Sequence, residues 1–236
     1  AGLGMRVTVV ERGPLGGGAS HAAAGMLSPL DDAHRGRVFL EFAVAGFRLY
    51  PSWVGELESE CGRSVEYREC GKVVAALSAA EKGPLQDTAN VALSHGLRAE
   101  WIEPGPLSSS VPDLTHEAVG ALLVHDDFRV DNRALAAALA VSCRERGVRL
   151  CTETDVRALR VASGRTQGLT LRDGTSLDTD RVLLSAGAWS GGIEGLPRAL
   201  PVRPVRGQML ALRPTSWSSS SVLCSHDVYL VPRDDG

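Results

Sequence analysis

Residues 5–29 read MRVTVVERGPLGGGASHAAAGMLSP, and this stretch decides the fold. Met5 to Val10 is a short β-branched run that closes on an acid, Glu11. A side-chain-poor bend, Gly16 to Gly25, follows almost at once. In a doubly wound α/β fold, ligands sit beyond the C-terminal ends of parallel strands, and a carboxylate at such a strand end accepts hydrogen bonds from a ribose. Glycines in the bend let backbone N–H groups approach a bound phosphate. The stretch therefore predicts the second half of a dinucleotide-binding unit. That acid ordinarily stands about 20 residues after a Gly-rich phosphate loop. Only ten residues precede Glu11, so the first strand and its loop are expected to fall outside this chain.

Composition narrows the class. The chain has 236 residues, 44% hydrophobic and 22% charged, as in ordinary globular proteins, and is long enough for one large domain or two modest ones. A net charge of -3 supplies no general attraction to nucleic acid or to an anionic membrane. No apolar run approaches the roughly 18 residues of a membrane span, so cytoplasm is the default compartment. Five cysteines are scattered without a C-x-x-C pair, and are expected to be reduced and mostly buried. The six histidines show no ligand spacing, and no metal is assigned.

Gly4 stands where a helix C-cap would fall, making residues 1–4 the tail of a preceding helix. Apolar residues from Val38 to Val54 recur at helical spacing and predict a helix pair broken near Pro51. Strands are expected at 64–68 and 72–77, then a polar helix over 80–95, with Pro84 in its first turn or breaking it. Asp131 is placed to cap a helix over NRALAAALAVSCRERG that ends at Gly147 and leads into the strand VRLC. Further strands are predicted at 155–161, 167–171, 181–184 and 225–232, and RDDG at 233–236 reads as a hairpin turn. The fold class expected is α/β. A Rossmann-like dinucleotide domain (parts 1–60 and 130–197) carries an inserted, mainly antiparallel α+β substrate domain (parts 61–129 and 198–236), with both termini truncated.

Four segments together resemble the FAD-dependent oxidoreductases of the D-amino acid oxidase family, and within it the glycine oxidase branch of thiamine biosynthesis. They are VTVVERGPLGGGASHAAAGMLSP, DDFRVDNRAL, LLSAGAWS with PVRPVRGQMLAL, and DVYLVPRDDG, in the family's order and spacing. The resemblance implies FAD as cofactor. It assigns Glu11 and Arg12 to the adenosine ribose, and Ala19, Ser20, Ala24, Gly25 and Met26 to FAD contacts. Val156 is assigned to the adenine through its backbone. It also implies that Met26 borders the substrate and that the Tyr229 hydroxyl binds the substrate carboxylate. Each has a plainer alternative: Glu11 as a solvated strand-end charge, Met26 and Val156 as core, Tyr229 as a cross-strand aromatic. Arg206 and Arg233 are expected to be surface or structural. His226 and Asp227 depart from the family pattern, which loosens the assignment of substrate.

The implied reaction is oxidation of glycine or another small amino acid to an imine, with O2 reduced to hydrogen peroxide. The cofactor performs the electron chemistry and the protein orients. Two alternatives stay open: a flavin-dependent dehydrogenase of the sarcosine or proline type, and an inert fragment holding no FAD. The partners implied are a small amino acid and O2, with neither nucleic acid nor membrane, and a homo-oligomer is allowed.

Overall fold

The β-branched run forms a strand, β1 (Thr8–Val10), and the bend after it closes with a single helical turn, α1 (Ala19–Ala22). The computed structural model describes residues 4–31, 33–115, 117–225 and 228–234. A helix tail at 1–4, the paired departures His226 and Asp227, and the end of the RDDG turn fall wholly or partly outside them. The chain divides into two compact units, Ala1–Ala22 with Leu139–Met209, and Ala23–Ala138 with Leu210–Gly236.

Along the chain follow β2 (Met26–Leu27), α2 (Arg37–Cys61), β3 (Lys72–Ala76), α3 (Ala79–Ser94), β4 (Ala99–Ile102), α4 (Pro104–Ser110), β5 (Gly120–Val124) and β6 (Phe128–Arg129). Then come α5 (Asn132–Glu145), β7 (Arg149–Cys151), β8 (Val156–Ala162), β9 (Arg165–Leu171), β10 (Ser176–Asp178), β11 (Val222–Cys224) and β12 (Tyr229–Leu230). Asp131 caps α5 as expected: its Oδ1 accepts the Arg133 and Ala134 N–H groups at 2.7 and 3.0 Å. Gly147, at φ +71°, closes that helix by donating to the Arg144 carbonyl.

In the first unit β1 lies parallel to β7, with Val9 opposite Leu150, as a doubly wound sheet requires. A separate antiparallel sheet runs β10-β9-β8. In the second unit five strands run in the order β12-β11-β3-β5-β4, antiparallel except where β11 meets β3. The small pair β2–β6 sets Met26 opposite Arg129.

The second unit's core explains where the units divide. Leu40, Val44 and Phe47 of α2 pack with Ala92 of α3 and with Leu122 and Val124 of β5, so α2 belongs with the five-stranded sheet. Fully burying side chains of this size stabilises by about 1.5–3 kcal/mol each.

Several local expectations need correction. Residues 37–61 form one helix, with no break at Pro51. Its buried face continues from Phe47 to Val54 and Leu57, and that packing outweighs the roughly 3 kcal/mol that an internal proline costs. The same holds for Pro84 inside α3. Residues 64–68 make only an isolated bridge, Arg68 to Arg129. Glu58 accepts the Ser64 hydroxyl and the Val65 N–H, and Glu66 turns to φ +51°, so the segment folds back instead of extending. Residues 181–184 form no strand, and Leu183 is 91% exposed: no strand among the described residues hydrogen-bonds beside them, and a strand needs a partner. The five cysteines are free and all half-buried, where most were expected to be buried.

Candidate active site

In the first unit the tip of β1 is pinned from both sides. Glu11 donates its N–H to the Cys151 carbonyl at 2.8 Å and accepts from the Thr154 N–H at 2.9 Å, which fixes the strand end against the exit of β7. Its carboxylate folds onto the bend, Oε1 accepting the Gly13 N–H at 2.9 Å. The other oxygen has no hydrogen-bond partner among the described residues. The Arg12 guanidinium lies 4.5 Å from the centre of the Trp189 ring, a cation–π contact.

Gly16 and Gly18 take φ +72° and +63°, the left-handed region that glycine enters without a Cβ penalty. A Cβ on Gly18 would meet only the Trp189 ring, at 3.7 Å. Ala19 and Ser20 follow on the exposed turn α1. Val156 opens β8 beside a register shift between residues 156 and 158, where one residue drops out of the ladder. A carboxylate with one oxygen uncommitted, two left-handed glycines and an irregular strand start form a donor and acceptor set that fits the ribose and phosphates of FAD.

In the second unit the chain runs on through half-buried Ala24, Gly25 and Met26. Gly25 is at φ +79°, and a Cβ there would stand 2.1 Å from the Val130 carbonyl oxygen. Close passage of the Val130 backbone therefore explains this glycine by itself. Val130 also donates its N–H to the Gly25 carbonyl at 2.9 Å. Arg233 holds the crossing from outside. Its Nη1 donates to the carbonyls of Val130 and Ala24 at 3.0 and 3.4 Å, and its Nη2 lies 3.4 Å from Asp131, a structural role as expected. Arg206 stands exposed in irregular chain.

Beyond Met26 the chain is bolted to the five-stranded sheet by groups that sequence reasoning missed. Ser28 donates to Asp127 Oδ1 at 2.9 Å. Lys72 lies 3.0 Å from Asp127 Oδ2 and also pairs with Asp31. Burial alone would lower the Lys72 ammonium, but the charges of Asp127 and Asp31 outweigh it and hold the group above its usual value. Burial pushes the Asp127 carboxyl up to about 6 against the pull of Lys72. A lysine second in the apolar run GKVVAAL was the available signal, since lysine is almost never buried unless paired.

The register places Tyr229 on the same face. Val74 pairs with Cys224, and Cys224 with Tyr229, so their side chains project to one side, shared by Lys72 two residues before Val74. Leu30, from the segment after Met26, packs in the cluster that Val74 joins on that side. The segment that follows Met26 and Tyr229 of β12 therefore meet on one face of the five-stranded sheet. Burial pushes the Cys224 thiol up to about 11, with Lys72 pulling the other way, so it stays protonated at neutral pH. Lys72 and Asp127 are committed to each other and to Asp31 and Ser28. The face carries a phenol hydroxyl and a neutral thiol, which suits binding and orientation better than proton abstraction.

The DAO family, described as FAD dependent oxidoreductase, matches residues 1–236. The chain belongs to this family, whose members bind FAD. It is 32% identical over 237 residues to the bifunctional protein ThiO/ThiG of Synechocystis sp., covering 98% of this chain and 34% of that protein. It is 30% identical over 234 residues to the glycine oxidase of Geobacillus kaustophilus, covering 97% of this chain and 61% of that one. In structure it resembles the glycine oxidase from Geobacillus kaustophilus with a TM-score of 0.81 at 23% identity, covering 97% of this chain and 62% of that chain. It also resembles the iminodiacetate oxidase from Chelativorans sp. BNC1, with a TM-score of 0.73 at 22% identity and coverage of 98% and 63%. The chain thus spans about a third of the bifunctional relatives and about three fifths of the glycine oxidases. Among the described residues no helix is long and apolar enough to cross a membrane.

Proposed function

We propose that the protein of which this chain forms part oxidises glycine or another small amino acid to the imine in the cytoplasm, within thiazole formation for thiamine. Residues 1–60 and 130–197 serve the cofactor, and residues 61–129 and 198–236 serve the substrate. Bound FAD supplies the two-electron acceptor for the substrate's Cα–H, the electrons then passing to O2 to give hydrogen peroxide while the imine hydrolyses in water. The protein's residues bind and orient.

Glu11 and Arg12 serve the ribose, with Arg12 steadied by Trp189. Ala19, Ser20, Ala24 and Gly25 lie along the cofactor, and the Val156 backbone serves the adenine. Met26 closes one wall of the substrate pocket, and the Tyr229 hydroxyl donates to the substrate carboxylate. The observation that carries this reading is the shared face: one sheet holds Tyr229 and, through Lys72, Asp31 and Ser28, the segment that begins at Met26. Free cysteines agree with a reducing compartment.

The test is turnover of the FAD-loaded protein on glycine, sarcosine and proline, with peroxide release and reduction of an artificial acceptor measured in parallel. Peroxide formed in step with glycine consumed is the expected result. Acceptor reduction without peroxide would replace the oxidase by a dehydrogenase, and a protein that retains no FAD would overturn the reading.

A further inference from the structure

Strand alternation sorts the side chains of β6 and its neighbours onto two faces. Phe128 stacks on Phe47 at 4.4 Å between ring centres, and Leu27, opposite Phe128, packs against the same core. Arg129 therefore projects from the other face. So do the two residues paired with it, Met26 of β2 and Arg68 across the isolated bridge. Met26, Arg129 and Arg68 form one cross-strand row.

Arg129 is only 5% exposed, yet most of its donors are unused. Its Nη2 donates to Asp234 Oδ1 at 2.6 Å, and the second oxygen of Asp234 accepts from Arg68. Nε and Nη1 are buried and have no hydrogen-bond partner among the described residues. The neighbouring Asp127 is committed to Lys72 and Ser28 instead. A guanidinium cannot shed its charge, so leaving the N–H groups of two nitrogens unmet in the interior is costly and calls for a reason.

The surrounding structure does not supply that reason. Asp234 is 37% exposed and keeps Arg68 whether or not Arg129 is present, so its charge is answered without Arg129. What the two unmet nitrogens match is an oxyanion, whose hydrogen bonds to a guanidinium are about twice as strong as neutral ones. The position matters as much as the chemistry, because Met26 is the residue directly opposite. Tyr229, which serves the substrate carboxylate in the reading above, lies on a different sheet from Arg129. A donor set on a separate element suits a separate acid group.

We propose that Arg129 determines specificity: its Nε and Nη1 bind a second carboxylate of the substrate, so that an acidic amino acid is preferred to its neutral amide. This rests on the oxidation proposed above and on Met26 at the wall of the substrate pocket. The half-buried Met26 side chain is unbranched, and a change of its rotamer admits the acid group to the guanidinium.

The test has a binding arm and a turnover arm, both on the FAD-loaded protein. Thermal unfolding is followed with succinate, a dicarboxylate with no amine to oxidise, and with its neutral analogue succinamide. Succinate is expected to raise Tm in the wild type, succinamide to leave it unchanged, and Arg129→Met to abolish the rise. Without ligand, Arg129→Met is expected to unfold at the wild-type temperature or above it, since it removes unmet donors from the interior. Initial rates are then measured on racemic aspartate and asparagine. The wild type is expected to show a KM about 10- to 100-fold lower for aspartate, a preference that Arg129→Met erases and Arg129→Lys partly restores.

A succinate response with no amine oxidised would leave the acid site standing and overturn the oxidation reading alone. Glycine oxidised with no preference for aspartate over asparagine would overturn the acid site alone. An Arg129→Met protein that melts several degrees lower, with the preference intact, would make Arg129 a structural residue and overturn the proposal.

Discussion

Lys72 and Asp127 face each other at 3.0 Å from Nζ to Oδ2, with 2% and 0% of their side chains exposed. Such a pair is not strong evidence for stability by itself, because removing both charges from water costs about as much as their attraction returns. Its consequence is asymmetric: without Lys72, Asp127 is a fully buried carboxylate with the Ser28 hydroxyl as donor but no cation beside it, whereas without Asp127, Lys72 keeps Asp31. Through Ser28 and Asp31 the same pair fastens the segment after Met26 to the sheet that carries Tyr229.

Lys72→Met therefore is expected to destabilise the protein by about 3–5 kcal/mol, the usual consequence of breaking a buried pair. Lys72→Met combined with Asp127→Asn is expected to recover most of that loss. Urea midpoints of the two variants check it, and equal losses in both would show that charge isolation is not the cause.

Asp127 also gives a pH dependence with a definite sign. Its folded carboxyl titrates near 6, above the ordinary carboxylate range, so between about 4 and 6 the folded state holds more proton than the unfolded one. The contribution of this group to stability therefore falls as pH rises through that window and is level above it. Asp126, Asp131 and Asp234 act in the opposite sense, each held below the usual value: burial opposes but arginine and backbone donors prevail at the first two, and Arg129 dominates at the third. The difference in unfolding free energy between wild type and Asp127→Asn, followed from pH 4 to 7, isolates the Asp127 contribution. A flat difference would contradict it.

Gly25→Ala is expected to cost more than 2 kcal/mol, since its Cβ would lie inside the Val130 carbonyl at a φ that L residues rarely adopt. Thermal unfolding with and without FAD measures it. A loss of FAD without any loss of stability would instead make Gly25 a cofactor contact alone.

Glu11→Ala is expected to weaken FAD binding by about 10- to 100-fold, the worth of a hydrogen bond to a charged group. Equilibrium dialysis against FAD reads it directly, and unchanged retention would return Glu11 to a solvated strand end.

Long-range placement separates what the sequence disclosed from what it hid. Local chemistry was legible: a β-branched run closing on Glu11, Asp131 capping α5, and Gly147 ending it each depend on neighbours a few residues away. Apart from 64–68, where Glu58 and the turn at Glu66 fold the chain back locally, the strand and helix corrections come from packing and pairing between segments. Pro51 reads as a break until Phe47 and Val54 are known to share a buried face, and 181–184 reads as a strand although it finds no partner. Of the site, the loop from Glu11 to Met26 was visible in the order of its small residues. The segment LLSAGAWS that holds Trp189 was visible too, but the contact of Trp189 with Arg12 was not, because nothing in its neighbours marks the bend it meets. The ties from Ser28, Asp31, Lys72 and Asp127 join residues up to about a hundred positions apart, and only the isolated lysine in an apolar strand hinted at them.

The most direct test of the central claim is anaerobic addition of glycine to the FAD-loaded protein while its visible flavin band is followed, in wild type and in Tyr229→Phe. Bleaching in the wild type, reversed by O2 with release of peroxide, and an approximately tenfold higher glycine concentration for half-bleaching in Tyr229→Phe at equal FAD content, are the results expected from one lost hydrogen bond. A flavin band that no small amino acid bleaches, or bleaching that the loss of the Tyr229 hydroxyl leaves unchanged, would contradict the assignment of this face to substrate.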